Sequence, residues 1–400
     1  MRLVQALFLV AIAALVPGSQ ASAGQPYSIP AHWVDNPTAV EPNTSEFMFD
    51  DLSFSSASNG WIVGDKFFLH VIGERIEVTF TNDPYVDIWT VAAPSSDEAW
   101  AGGWQGSATT DRAIIWHFHG GHWEEVGLSP TLVRNRHVWK LRFESPERGW
   151  ALMAEFDPSD PYSATTKSLL HFDGVSWREV APVFLSLQPR LKDMCVAPSG
   201  TGWAVGDARD EAGRWHGVVL KKEGLEWREV ALSPIAPGAW LLEKVSCLST
   251  GGMVASAVVA GADKTVEEGL LVQHDGSSRK IQFPEARRGY HASALALVRD
   301  DDIWLHASSV SDASLFLHRV AEQWSDFAVP PLPGKGPPYR GVSVSGMQFV
   351  SPDEGWAVGT KYYGKGYTRG LVFHYKDGSW RTRNWNWSRW NQRWFGLLGE

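Results

Sequence analysis

Ten residues at unrepeated positions carry the side chains best suited to recognition: Trp104, Arg136, Tyr162, Arg190, Trp215, Trp240, Arg288, Tyr290, Arg340 and Tyr363. Arginine presents a planar fork of donors that matches carboxylate, sulfate or sugar hydroxyl oxygens. Tryptophan and tyrosine offer flat, stiff faces of the kind that dominate binding hot spots. Together they suit an anionic or sugar-like ligand or a protein partner. The alternative is an ordinary solvated surface whose arginines pair internally. The chemistry of turnover is harder to find. No serine nucleophile elbow, phosphate loop or zinc-helix motif is present, and Asp300-Asp301-Asp302 reads as a polar turn. The one local histidine cluster, His117-Phe-His119-Gly-Gly-His122, could ligate a metal through two side chains on one strand face. However, His117 also belongs to a series (His70, His117, His171, His318, His374) that stands in equivalent places along the chain. Equivalent places in successive units lie too far apart to converge on one ion, so these histidines are expected to pack beside tryptophan or satisfy turns. Neither metal nor cofactor is expected.

What positions these residues is a repeat. The stretch Ser351-Pro-Asp-Glu-Gly-Trp356-Ala-Val-Gly359 has counterparts centred on Trp61, Trp100, Trp150, Trp203, Met253 and Trp304, at a period of about fifty residues. Each unit carries an alternating apolar segment, a short turn, the anchor strand, a longer loop, a third strand and a fourth strand. A second tryptophan (Trp123, Trp177, Trp227, Trp324 or Trp380) marks the fourth strand in five units. The fold class is therefore all-β: a seven-bladed β-propeller of four-stranded antiparallel blades spanning residues 46–384. A blade apolar on both faces needs a neighbour on each side, and closing the ring supplies one. Eleven of the 22 tryptophans fall at the repeat positions, so half of them are explained without a ligand. Because all seven units carry four strands, the ring is expected to close by plain packing of the first blade on the seventh.

The repeat also sets which loops rise together. If the first strand of a blade descends, the loops joining strands two to three, and strand four to the next blade, emerge on one face, called upper here. These loops are long and individual, and they carry the ten candidate residues. The lower turns are short and alike. Variable loops on a rigid scaffold are where binding is usually placed.

The segments outside the ring are read as follows. Residues 1–23 resemble a secretory signal, with Arg2, the apolar run Ala6 to Val16 and the small-residue site ending at Ala23. The run is too short to span a bilayer. A secreted or periplasmic product cleaved near Ala23 follows. Residues 24–45 form a proline-punctuated extended arm. Residues 385–400 form a tail with Trp387, Trp390 and Trp394 at helical spacing, read as a latch on the ring, with an exposed docking patch as the alternative. A formal net charge of −9 argues against nucleic acid as a partner. A protein or glycan partner, no membrane span and a monomer are expected. Cys195 and Cys247 occupy matching places in adjacent units; buried free thiols are expected, with a disulfide between them as the alternative.

At the level of the repeat the chain resembles exported bacterial propellers of the photosystem II stability/assembly-factor-like group and the wider BNR, or Asp-box, superfamily. The resemblance rests on the Gly-Trp-Ala-Val-Gly strands and on turns such as Asp173-Gly174-Val-Ser-Trp177 and Asp377-Gly378-Ser-Trp380. Aspartate and glycine are adjacent in these turns, where an Asp-box separates them, so strict Asp-boxes are absent and no catalytic residue carries over. The resemblance implies a non-catalytic binding or assembly scaffold acting through its upper face. The sialidases of the superfamily imply the other reading, a carbohydrate-active glycosidase or lyase with its site at the channel mouth.

Overall fold

The structure is a computed structural model. It describes residues 27–30, 32, 33 and 48–384, except 74, 82, 84, 107–110, 158–159, 233–238, 261–265, 310–312, 333–338 and 364–367. The signal-like segment 1–23 and the tail 385–400 lie outside the described residues.

Seven antiparallel sheets form, each ordered one-two-three-four from the axis outwards. Their first strands are Asp51–Ser56, Val86–Ala92, Arg136–Ser145, Leu187–Val196, Ala239–Cys247, Tyr290–Arg299 and Tyr339–Ser351. Neighbouring first strands contact one another around the ring, so they line the axis. The propeller expected from the period is what forms.

The apolar core divides into seven clusters, one per gap between blades. In four gaps the anchor tryptophan of one blade meets the fourth-strand tryptophan of the next edge to face: Trp61–Trp123, Trp100–Trp177, Trp150–Trp227 and Trp304–Trp380, with centroids 4.9, 5.8, 5.4 and 5.7 Å apart. That geometry aligns positive ring edges with negative faces. The gap between blades seven and one uses Phe54 stacked on Trp356 at 4.8 Å, since blade one has no fourth-strand tryptophan. The final glycine of the motif has its own cause: a Cβ on Gly359 would lie 2.0 Å from the Ser343 carbonyl oxygen, and one on Gly206 equally close to that of Arg190. Only glycine lets the anchor strand approach the inner strand so closely.

Closure departs from plain packing. Tyr27–Pro30 adds a fifth strand to the outer edge of blade one, pairing antiparallel with Arg75–Val78. His32–Trp33 does the same on blade seven, pairing with Arg383–Asn384. One short arm thus covers two outer edges that would otherwise present unpaired backbone groups and spans the junction where the ring begins and ends.

The free-thiol expectation is also overturned, because Cys195 and Cys247 form a disulfide with Cα atoms 5.6 Å apart. In a ring of like units, matched side chains would point the same way around it, one toward its neighbour and one away. Instead both sit at the lower ends of inner strands and line the channel, where adjacent blades converge to bridging distance. The bond closes a loop across 52 residues of sequence. Converting both cysteines to serine should lower unfolding free energy by about 2–4 kcal/mol. Chemical denaturation with and without reductant checks this: reductant should shift the native protein and leave the double variant unmoved.

Candidate functional site

On the upper rim the clearest assembly is in blade four. Arg209 stands opposite Trp215 across the hairpin of strands two and three, and its guanidinium lies 4.4 Å from the indole centroid. Arg190, entering on the inner strand opposite Asp207, places its own guanidinium 3.9 Å from the same ring. Asp207, fully buried, fixes that arrangement. It accepts Arg190 Nε at 2.8 Å and lies 2.7 Å from Lys192 Nζ. Lys192 continues to Glu243 of blade five at 2.5 Å. A half-buried indole is thus held under two cations at the channel mouth, a cation–π arrangement that limits its motion.

The other candidates are spread around the rim. Arg136 pairs with Glu155 at 3.0 Å and Glu179 at 2.8 Å, within blade three. Trp104 stacks on His137, with centroids 5.0 Å apart and planes 9° apart. Trp240 of blade five covers Gly217 of blade four, where a Cβ would lie 2.4 Å from its ring. Arg288 is exposed, directly after the short helical turn Glu285–Arg287. Tyr290 is half-buried beside the Arg287 guanidinium, which pairs with Asp326. The side chains of Tyr162, Arg340 and Tyr363 lie outside the described residues. Among the seven whose side chains are described, Arg190 and Trp215 are the pair in contact with each other.

The wall below the mouth holds residues that sequence reasoning missed. In blades two to seven the pairing of the inner strand slips by one residue at an equivalent place, leaving Trp89, Trp139, Lys192, Glu243, Ser293 and Ser345 unopposed. Such bulges re-aim side chains. Trp89 meets Trp139 edge to face at 5.4 Å and donates its indole N–H to Asp87 at 2.8 Å. Nearby, Asp50 has its carboxyl pushed up to about 7, by burial first and then by Asp87 and Asp65. Burial likewise raises Asp87, against the indole donors Trp89 and Trp104. His137 is held neutral, pushed down to about 4 by burial. A surplus of non-repeat tryptophans was visible in the sequence, but nothing there marked the bulges.

The repeat histidines have a structural role. Each stands opposite its anchor tryptophan and stacks on it: His70 on Trp61, His117 on Trp100, His318 on Trp304 and His374 on Trp356 at centroid distances of 3.8–4.0 Å, with His171 tilted on Trp150 at 4.5 Å. In the local cluster, Glu124 takes both His119 and His122, at 3.2 and 2.6 Å. No group of three metal-capable side chains occurs among the described residues. Ser186 and His216 approach within 3.0 Å, but the serine hydroxyl donates to Glu229 at 2.5 Å. The imidazole is therefore not the proton acceptor that a serine nucleophile needs.

A cavity of about 520 Å³ occupies the channel at the opposite, lower end, walled by inner-strand residues and the disulfide.

No protein-family model matches the chain, and no curated protein matches it in sequence. Solved structures do match in shape. A structure of YCF48 bound to a D1 peptide superposes with a TM-score of 0.54 at 16% identity, covering 87% of this chain and 99% of that one. YCF48 from Cyanidioschyzon merolae gives 0.53 at 14% identity, covering 84% and 97%. A prolyl endopeptidase gives 0.53 at 11% identity, covering 91% of this chain but 49% of that chain. The likeness to YCF48 agrees with the resemblance carried by the repeat, and at these identities what is shared is the propeller fold. No helix among the described residues is long and apolar enough to cross a membrane.

Proposed function

We propose that this propeller is an exported, non-catalytic scaffold that binds a protein or glycan partner through its upper face, with Trp215 as the anchor. The observation that carries the reading is the clamp of Arg190 and Arg209 on Trp215 over buried Asp207. Tryptophan and arginine are the residues most enriched in binding hot spots, and fixing them beforehand lowers the entropy cost of association. Arg190, Arg209 and Lys192 outnumber Asp207 and Glu243 in this assembly, which favours an acidic surface on the partner. That the similar YCF48 structure holds a D1 peptide supports a protein partner.

The test is quantitative capture from the native envelope fraction, together with a glycan array, using the wild type, Trp215→Ala and Arg209→Ala. A specific partner should bind the wild type and lose at least about tenfold in affinity to each variant, with melting temperatures unchanged. Binding indifferent to both substitutions would remove the upper-face anchor. Steady turnover on a glycan or ester panel, abolished in Trp215→Ala, would replace the scaffold with an enzyme.

A further inference from the structure

The lower cavity has an unusual floor. Lys140 and Arg142 enter it from blade three, Asp193 from blade four and Lys244 from blade five. Asp51 of blade one closes the network from behind. Its carboxylate accepts the Thr90 hydroxyl at 2.8 Å, and lies 3.3 Å from Arg142 and 3.5 Å from Lys140. Asp193 lies 3.8 Å from Arg142 and accepts the Val245 amide at 3.0 Å. Three cations therefore face two carboxylates, and every cation–carboxylate distance in the floor exceeds 3.2 Å, longer than a close charge-assisted bond.

Lys244 is the outlier. Among the described residues no carboxylate lies within ion-pair distance of its ammonium, and its one polar contact is the Ser345 carbonyl at 3.4 Å. A part-buried ammonium with three donors and one distant protein acceptor is under-satisfied by the protein itself. The walls above the floor are of another kind: Val196, Leu297, Met347 and Phe349, with Cys195–Cys247 beside them. A charged floor under an apolar wall defines an amphipathic volume, and about 520 Å³ lies within the range of small-molecule sites.

We infer that the lower cavity is a binding site for a small carboxylic acid with an apolar body, its carboxylate seated against Lys244 and its body against the Leu297–Phe349 wall. One negative charge balances the floor, supplies the acceptor that Lys244 lacks, and leaves the Asp51 and Asp193 contacts undisturbed. The site lies at the other end of the channel from Trp215 and does not depend on what the upper face binds.

The electrostatics add a signature. Burial first, and then Lys140, hold the Lys244 ammonium below the usual lysine value, against Asp193, Asp51 and Glu243; Arg142 also faces it across the floor. A bound carboxylate raises it again, so binding takes up protons where free Lys244 is neutral. Affinity should therefore fall with rising pH earlier than an ordinary lysine would dictate.

Calorimetry with octanoate, octanamide and inorganic phosphate tests the site on the full chain. Octanoate should bind, while octanamide of the same shape should not. Octanoate affinity should drop at least about tenfold in Lys244→Met and equally in Leu297→Trp, which fills the cavity without changing charge. Lys244→Met removes an under-paired cation, so its melting temperature should equal or exceed that of the wild type, and lost binding then cannot be lost folding. Absence of octanoate binding, equal binding of octanamide, phosphate binding tighter than octanoate, or octanoate binding unchanged by both variants would each overturn the assignment.

Discussion

Replacing Lys222 with methionine is expected to destabilise the propeller by about 3–5 kcal/mol, because it strands a buried carboxylate. Lys222 on the third strand of blade four lies 2.8 Å from Glu144 on the inner strand of blade three, and both are buried. The same glutamate oxygen accepts the Trp150 indole N–H at 2.8 Å, and Lys222 also donates to the Gly200 carbonyl at 2.8 Å. Without the ammonium, Glu144 keeps the indole and Arg148, whose side chain is 61% exposed and 3.9 Å away. A guanidinium at that distance and exposure contributes little. Glu144→Gln should relieve the stranded charge while still accepting from Trp150, so the Lys222→Met/Glu144→Gln double variant should recover most of the loss. Denaturant titration of the four proteins measures the coupling. A single variant losing under about 1 kcal/mol would mean that the pair does not stitch these blades together.

The second large effect runs in the opposite direction. Asp50→Asn should stabilise the protein at alkaline pH by up to about 4 kcal/mol, since a carboxyl raised from 3.8 to about 7 is disfavoured as an anion in the fold. The sign follows from the direction of the shift. Below pH 3.8 the group is protonated in both folded and unfolded chains and makes no difference. Between pH 3.8 and about 7 the unfolded chain ionises freely while the folded one keeps its proton, so stability falls across that window and the loss is complete once pH has risen through the folded value. Asparagine avoids this. Melting temperatures of wild type and variant should coincide near about pH 3.5 and separate progressively to about pH 8, with the variant higher. Parallel curves would show that Asp50 titrates as an ordinary surface acid. The same property makes Asp50 a hydrogen-bond donor below neutrality, in the wall beneath the mouth and beside Asp87.

Much of the fold was legible because one tryptophan per unit serves one gap between blades. A period in sequence becomes a period in space when every unit must bury the same kind of face. The repeat histidines were legible for the same reason: each falls on the third strand at the place opposite the anchor, so their stacking recurs with the repeat. Features that depend on strand register or on contacts between blades were not. Arg136 reads as a rim arginine until the register sets Glu155 opposite it. Trp240 reads as an upper-face aromatic until Gly217 of the neighbouring blade leaves room beneath it. The bulges that re-aim Trp89, Trp139 and Lys244's neighbour Glu243 have no residue signature, since a slip in pairing tolerates almost any side chain. The arm read as extended, but its pairing left no signal, because it is made through backbone groups that every non-proline residue possesses.

That arm also has a history in time. Trp33 pairs with Arg383, so one segment must wait for a strand made about 350 residues later. Loop closure over such a separation is slow to occur, and the seam between blades seven and one should be the final event of folding. Once made, opening that seam requires the outer strand to let go before the tryptophan-filled gap behind it can hydrate. The arm should therefore act on the rate of unfolding more than on its equilibrium, through a few backbone hydrogen bonds on the rim.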